Sequence, residues 1–142
     1  MTTYTLTQGT RTSTLLTAGT LASATYITGS AIDLSASVPI FITIQVEANA
    51  NGTPSGNKQL ILFGKWSLDN TNWTSGPESG TTATEEADLH WLGTLPMNDT
   101  NDHRKEFIVY PKGRYFKPIL KNDLGVALTS GEVYRSDWTG TS

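Results

Sequence analysis

The feature that most constrains this chain is a set of short apolar runs, each closed by turn-forming residues. Residues 59–73 read QLILFGKWSLDNTNW, in which aliphatic and aromatic residues give way to Asp and Asn. Residues 40–46 read IFITIQV, with the even positions more apolar than the odd ones. Short runs favour strands, and alternation is typical of a strand with one face on a core. We expect the two runs to pair as antiparallel strands, joined by a long tip that contains Asn51-Gly52.

Length and charge restrict the classes of protein to which the chain can belong. Its 142 residues suit one domain with a single core, and the absence of cysteine excludes disulfides and thiolate metal sites. With a net charge of −3 and 16% charged residues, the chain is a poor candidate for binding nucleic acid through its phosphates. The sequence contains no apolar stretch of membrane-spanning length and no secretory leader, so we expect synthesis in the cytoplasm and no membrane partner.

The N-terminal segment differs in composition from the rest. Residues 1–30 contain 11 of the 23 threonines and a single charge, Arg11. We predict that residues 1–12 form an extended arm or edge strand that lies against its own domain or a neighbour. Residues 13–135 are then the domain proper, and residues 136–142 a C-terminal tail.

Further short runs complete the pattern. About eight strands separated by turn signals predict an all-β fold, an antiparallel β-sandwich or jelly-roll-like domain with an extended N-terminal arm. Pro118 indicates an edge strand or a bulge. The additional runs are at residues 26–28, 32–34, 89–93, 106–110, 115–120, 126–128 and 132–134.

The polar segment 74–88 is too long for an ordinary connection. We expect it to be functional or mobile, with a short helix over residues 84–89 capped by Thr84. The stretch from Lys112 to Lys121 interleaves basic and aromatic residues, which could bind single-stranded nucleic acid. The same residues are also explained as lysines that keep an edge strand soluble, and we favour that interpretation.

Candidate catalytic and metal-binding groups are sparse. Asp88 and His90 share a strand face and could chelate a metal, but two ligands do not make a site. Asp99 and Asp102 lack the spacing of a calcium-binding loop, and His103 lies among hydrophilic residues. We therefore expect no catalytic residues, no cofactor and no metal.

The four tryptophans admit two interpretations. Trp66 and Trp91 are expected to be core or semi-core residues of strands, because large aromatic residues supply most of the core area of a small β domain. If exposed, tryptophans such as Trp73 could instead stack on sugar rings. Trp138, close to the C-terminus, indicates a docking contact.

Several motifs together are similar to a known family. They are the step Ile32-Asp33-Leu34, the unit WSLDNTNW at residues 66–73, Phe107-Ile108-Val109, Tyr115-Phe116-Lys117 and LKNDLG at residues 120–125. Across residues 20–135 the chain resembles small β-rich structural proteins of tailed bacteriophages. The resemblance implies virion assembly, as a capsid decoration (cement) protein, often trimeric, or as a head or tail accessory protein. It brings no catalytic residues.

We hypothesise a non-enzymatic decoration protein on the capsid surface of a virion. Its partners would be the major capsid protein and other copies of itself, with a trimer favoured. The expected interface residues are Tyr4, Leu6, Arg11, Trp73 and Trp138. The alternatives are a tail or collar accessory protein, or a carbohydrate- or receptor-binding module that uses exposed tryptophans. A hydrolase with Glu85 and Asp88 as a carboxylate pair ranks last.

Overall fold

The computed structural model describes residues 3–141, apart from the side chains of residues 12–14. In this part of the chain no helix is long and apolar enough to cross a membrane. Short 3-10 helices span Leu34–Ala36 and Glu86–Asp88. The strands are β1 (Thr5–Gln8), β2 (Thr12–Thr17), β3 (Tyr26–Thr28), β4 (Ile32–Asp33), β5 (Phe41–Ala50), β6 (Gln59–Ser67), β7 (His90–Pro96), β8 (His103–Val109), β9 (Tyr115–Asp123) and β10 (Leu128–Thr141).

The strands form two antiparallel sheets that pack face to face, which confirms the predicted all-β sandwich. In sheet A, β1 and β2 both pair with one side of β10, followed by β5 and β8. In sheet B, β3 and β4 both pair with one side of β9, followed by β6 and β7. If β1 with β2 and β3 with β4 are each counted as one strand, the first of eight pairs with the last, the second with the seventh, and so on inward. This is the pairing of a jelly roll.

Alternation along the strands builds the core between the sheets. In β5 the even positions are buried, from Ile42, Ile44 and Val46 onward to Ala50. They meet the inward faces of β6 and β9, which include Leu62 of β6. The fully buried residues of this core are Ile42, Ile44, Leu60, Leu62, Met97, Phe116, Leu120, Leu124, Leu128, Val46 and Val133.

The predicted pairing of β5 with β6 is wrong. β5 lies between β10 and β8 in sheet A, whereas β6 lies between β9 and β7 in sheet B. The connection at residues 51–58 therefore crosses from one layer to the other. Both strands bury their even positions in the same core. Two strands show that pattern whether they face each other across the sandwich or pair within one sheet.

The expected arm and tail pair with each other. Residues 5–8 form edge strand β1, in which Thr5 is opposite Thr141 and Gln8 is opposite Trp138. Residues 136–141 are not a free tail but the last part of β10, which is hydrogen-bonded to β5 as far as Trp138. The polar Thr and Ser residues suit both segments to a half-exposed sheet, which explains how segments with so few apolar groups become ordered.

Pro118 is not on an edge strand, since β9 has neighbours on both sides. Its carbonyl accepts a hydrogen bond from the Gly29 nitrogen at 2.8 Å. The nitrogen and carbonyl of one residue point to the same side of an antiparallel strand, so the missing N–H also faces Gly29. On that side the partner strand is interrupted, because β3 ends at Thr28 and β4 begins at Ile32. The missing N–H of Pro118 therefore costs the sheet no ladder hydrogen bond.

Residues 74–89, which we call the strap, cover part of the outer face of sheet B. Gly80 and Tyr26 exchange two backbone hydrogen bonds of 2.8 and 3.2 Å. Leu89 closes a second small apolar cluster with Tyr26, Phe63 and Ile119. The helix expected here is one 3-10 turn. Its cap is not Thr84 but Glu85, which has φ 62° and makes no side-chain capping bond.

Candidate functional site

A row of aromatic side chains crosses the outer side of sheet A. Trp138 of β10 lies directly opposite Phe41 of β5, and the two rings stack with centroids 5.3 Å apart. Tyr110 follows β8 and continues the row, with its ring 6.0 Å from Phe41. The Trp138 indole nitrogen donates a hydrogen bond of 3.0 Å to the Thr43 hydroxyl. The row is therefore fixed by ring stacking and by a hydrogen bond.

β1 extends this surface at the edge of the sheet. Leu6 is opposite Gly140, and Tyr4, two residues earlier, is on the same side of β1. The Tyr4 ring lies over Gly140, where any side chain would collide with it. We define the aromatic face as Tyr4, Leu6, Phe41, Ile108, Tyr110 and Trp138.

Four of the six residues of the aromatic face are exposed to solvent, whereas Phe41 and Trp138 are half-buried. Tyr110 is 65% exposed, Ile108 61% and Tyr4 59%. Single exposed apolar residues are ordinary, but a contiguous group of them marks an interaction site. Here the group spans four neighbouring strands, which makes it the most distinctive surface in the described chain.

The same apolar surface continues onto the end of the sandwich, just before β5. Val38, Pro39 and Ile40 lead into Phe41, and both Val38 and Ile40 are exposed. Val38 has φ 46°, an unusual conformation for a β-branched residue. Strained residues of this kind cluster at functional sites, because the surrounding structure must hold them in place.

A polar depression of about 180 Å³ lies beside the aromatic row. At its edge the Arg11 guanidinium lies 3.4 Å from the centroid of the Tyr134 ring and 3.0 Å from the Glu47 carboxylate. Glu47 also pairs with Arg104 at 2.8 Å, and these arginines, Arg104 foremost, lower the pKa of Glu47. Arg11 is thus fixed from two directions. The lining includes Gln8, Arg11, Gln45, Glu106, Tyr134 and Ser136.

Four of the five expected interface residues come together on or beside this surface. Tyr4, Leu6 and Trp138 belong to the aromatic face, and Arg11 borders it. Trp73 does not, because it lies against sheet B with the Lys117 ammonium 4.3 Å from its ring centroid.

Sequence reasoning missed Phe41, Ile108 and Tyr110 as surface groups. The signal was present for Phe41, which is on the less apolar side of the run at residues 40–46. Which side of β8 faces outward follows from its register with β5, in which Thr43 is opposite Ile108.

The expectation of a core position is met by Trp66 and is wrong for Trp91. Trp66 is buried and packs on Phe116, with ring centroids 4.6 Å apart. Trp91 is 63% exposed. The cause is a register shift in β7, where Gly93 is opposite Leu62 but Trp91 is opposite Phe63. The extra residue, Leu92, packs against the core in place of the tryptophan.

The titratable groups singled out in the sequence are dispersed. His103 begins β8 and lies 2.9 Å from the Asp99 carboxylate, which lowers the pKa of Asp99. Within residues 3–141 no three His, Asp or Glu side chains gather as metal ligands would.

No protein-family model matches the sequence, and no curated protein matches it either.

Proposed function

We propose that this chain is a non-enzymatic structural protein of a bacteriophage particle, a decoration protein that binds the capsid lattice and neighbouring copies through the aromatic face. The observation that carries the proposal is the row of Trp138, Phe41 and Tyr110 on a rigid sheet, flanked by exposed apolar side chains such as Tyr4 and Ile108. Aromatic residues held rigid on a sheet lose little entropy on binding and are typical anchors of protein interfaces.

Two further points support the proposal. The motifs of residues 20–135 resemble structural proteins of tailed bacteriophages, and jelly rolls occur in viral capsid proteins. The second point is an analogy of fold only, since one fold serves many functions. A particle protein would also use its edges: β1 leaves one side unpaired within residues 3–141, so a neighbouring chain could add a strand there.

Stoichiometry in the purified source particle tests the location. Hundreds of copies per particle are expected for decoration, a few copies would indicate a tail or collar part, and absence from particles would refute the proposal. Light scattering of the isolated protein tests the favoured trimer.

Two variants test the binding face. Trp138→Ala should abolish binding to particles that lack the protein, because it removes the largest ring of the row and its stacking on Phe41. Trp91→Ala is the matched control, since it removes a ring of the same size, and a more exposed one, from sheet B. Equal binding by both variants would show that the aromatic face is not the attachment surface.

A second candidate is a carbohydrate- or receptor-binding module. It is favoured by the position of the polar depression beside the Trp138 ring, because sugars bind through ring stacking together with amide and carboxylate hydrogen bonds. A glycan array that gives signals lost in Trp138→Ala and retained in Trp73→Ala would support it. A flat array with normal particle attachment would dismiss it.

A further inference from the structure

A cavity at one end of the sandwich, separate from the aromatic face, is rich in hydrogen-bond donors. It lies where β6 ends and β7 begins, next to the turn that joins β8 to β9. Its volume of about 360 Å³ lies within the range of small-ligand sites, roughly 300–1,000 Å³. The polar and aromatic lining consists of Trp66, Ser67, Asn72, Thr74, His90 and Lys112.

The hydroxyl and amide groups of the lining are already used within the turn at residues 66–74. The Thr74 hydroxyl accepts a hydrogen bond from the Trp66 backbone nitrogen at 3.1 Å. The Ser67 hydroxyl donates to the Asp69 carboxylate at 3.1 Å, and the Asn72 side-chain amide donates to it at 2.7 Å. Asp69 itself is held by this turn and is not part of the cavity wall.

Three nitrogen-bearing groups of the lining remain without a hydrogen-bond acceptor. The indole nitrogen of Trp66 is buried and has no partner in the described part of the chain. His90 and Lys112 also make no side-chain hydrogen bond or ion pair with any of the side chains or backbone groups that the structure describes. Buried donors in folded proteins nearly always have an acceptor, so the unpartnered indole of Trp66, a lining residue, is a candidate donor to a ligand or solvent oxygen.

We propose that this cavity binds a carboxylate group. The lining supplies donors and a positive charge but no acidic side chain, so an anion with two acceptor oxygens complements it. Leu68 also lines the cavity and is largely exposed, so it offers an apolar contact for the carbon skeleton that carries the carboxylate.

The electrostatics assign a role to each cation-forming group. Burial, and then the neighbouring Lys112 ammonium, lower the pKa of His90, which disfavours its charged form. Lys112 then supplies the charge. It is exposed on a turn, so its replacement tests binding with little effect on folding.

The indole proton of Trp66 gives a direct readout by NMR. The spectrum of Trp66→Phe identifies that signal among the four tryptophans. Glucuronate and N-acetylaspartate amide are titrated at constant ionic strength, with glucose and N-acetylasparagine amide as neutral counterparts. We expect a saturable shift with at least one of the carboxylates and none with the neutral compounds. The carboxylate that saturates first tells whether a sugar acid or an acidic side chain is the source.

Lys112→Gln should weaken carboxylate binding about tenfold, which is the loss expected for one charge-assisted hydrogen bond. Lys105→Gln removes the same charge from the exposed edge strand β8 and should bind like the unmodified protein. Two results would each overturn the proposal: no saturable shift with either carboxylate, or equal affinities of the two lysine variants. Neither measurement depends on attachment to a particle.

Discussion

A buried lysine beneath the strap provides the sharpest test of how sheet B is covered. Lys65 of β6 has a side chain only 6% exposed, and its ammonium lies 3.3 Å from the Glu78 carboxylate. Lys117 of β9 approaches the same oxygen at 3.6 Å. Glu78→Gln therefore leaves one buried ammonium without an anion and a second one close by. The effect on stability should be much larger than for a surface ion pair.

The magnitude follows from the burial of the two partners. Exposed pairs contribute about 0.2–1 kcal/mol, whereas breaking a buried pair costs about 3–5 kcal/mol. Lys65 is buried but Glu78 is 44% exposed, so we place the cost of Glu78→Gln near 2 kcal/mol. With an unfolding entropy of about 2.1 cal/mol/K per residue, that loss lowers the Tm of a chain this long by about 7 °C.

Urea unfolding and calorimetry of three variants measure this coupling. Lys65→Met, which keeps the apolar stem, should be within about 0.5 kcal/mol of the parent, since apolar replacements of buried charges are often neutral. The double variant should regain most of the stability lost in Glu78→Gln, because only the Lys117 ammonium is then without the Glu78 carboxylate. Glu85→Gln removes a charge from the exposed part of the strap and serves as the control. If the double variant is as unstable as Glu78→Gln, the buried ammonium is not the cause and the reasoning fails.

Three further perturbations test other parts of the structure. Gly93→Ala places a methyl group against the ring of Phe107 and should cost about 2 kcal/mol in urea unfolding, and an unchanged midpoint would contradict this packing. Val38→Gly should raise the free energy of unfolding by about 1 kcal/mol by relieving φ strain, whereas Val38→Ala should not, so equal effects would count against strain. Hydrogen bonds from the backbone of Asn72, then of Thr71, hold the pKa of Asp69 well below its ordinary value. That stabilisation is complete above the pKa of the unfolded state and is lost as the pH falls from there through the lower pKa of the folded state, so Asp69→Asn should flatten the fall in stability below about pH 5.

The sequence was sufficient for the fold class because alternation is a local property. Residues 40–46 show which side of β5 is buried, and the structure extends that pattern to Ala50. Pairing is not local. Whether β5 and β6 share a sheet depends on β10 and β9, which come much later in the chain and occupy the positions beside them.

The same limit applies to the candidate site. Trp138 was identified because an aromatic residue near a terminus is conspicuous, but its neighbour Phe41 is distant in sequence and becomes adjacent only through the β10–β5 register. Trp91 was misplaced by a single bulged residue, which moves a side chain to the opposite face of its strand. Such bulges leave no pattern in a short apolar run.

One long-range relation, the complementary charge of β9 and the strap, was nevertheless visible in the sequence. The basic residues of β9 were attributed to an edge strand kept soluble by lysine, yet β9 lies inside sheet B. Lys117 and Lys121 instead face the strap, where they pair with Glu78 at 3.6 Å and with Glu86 at 2.7 Å. A lysine-bearing strand and a long acidic loop have complementary charge, and complementary charge fixes register between surfaces. Because β9 is a central strand, its lysines cannot serve as edge guards, and the acidic loop supplies the carboxylates that make their position in the sheet stable.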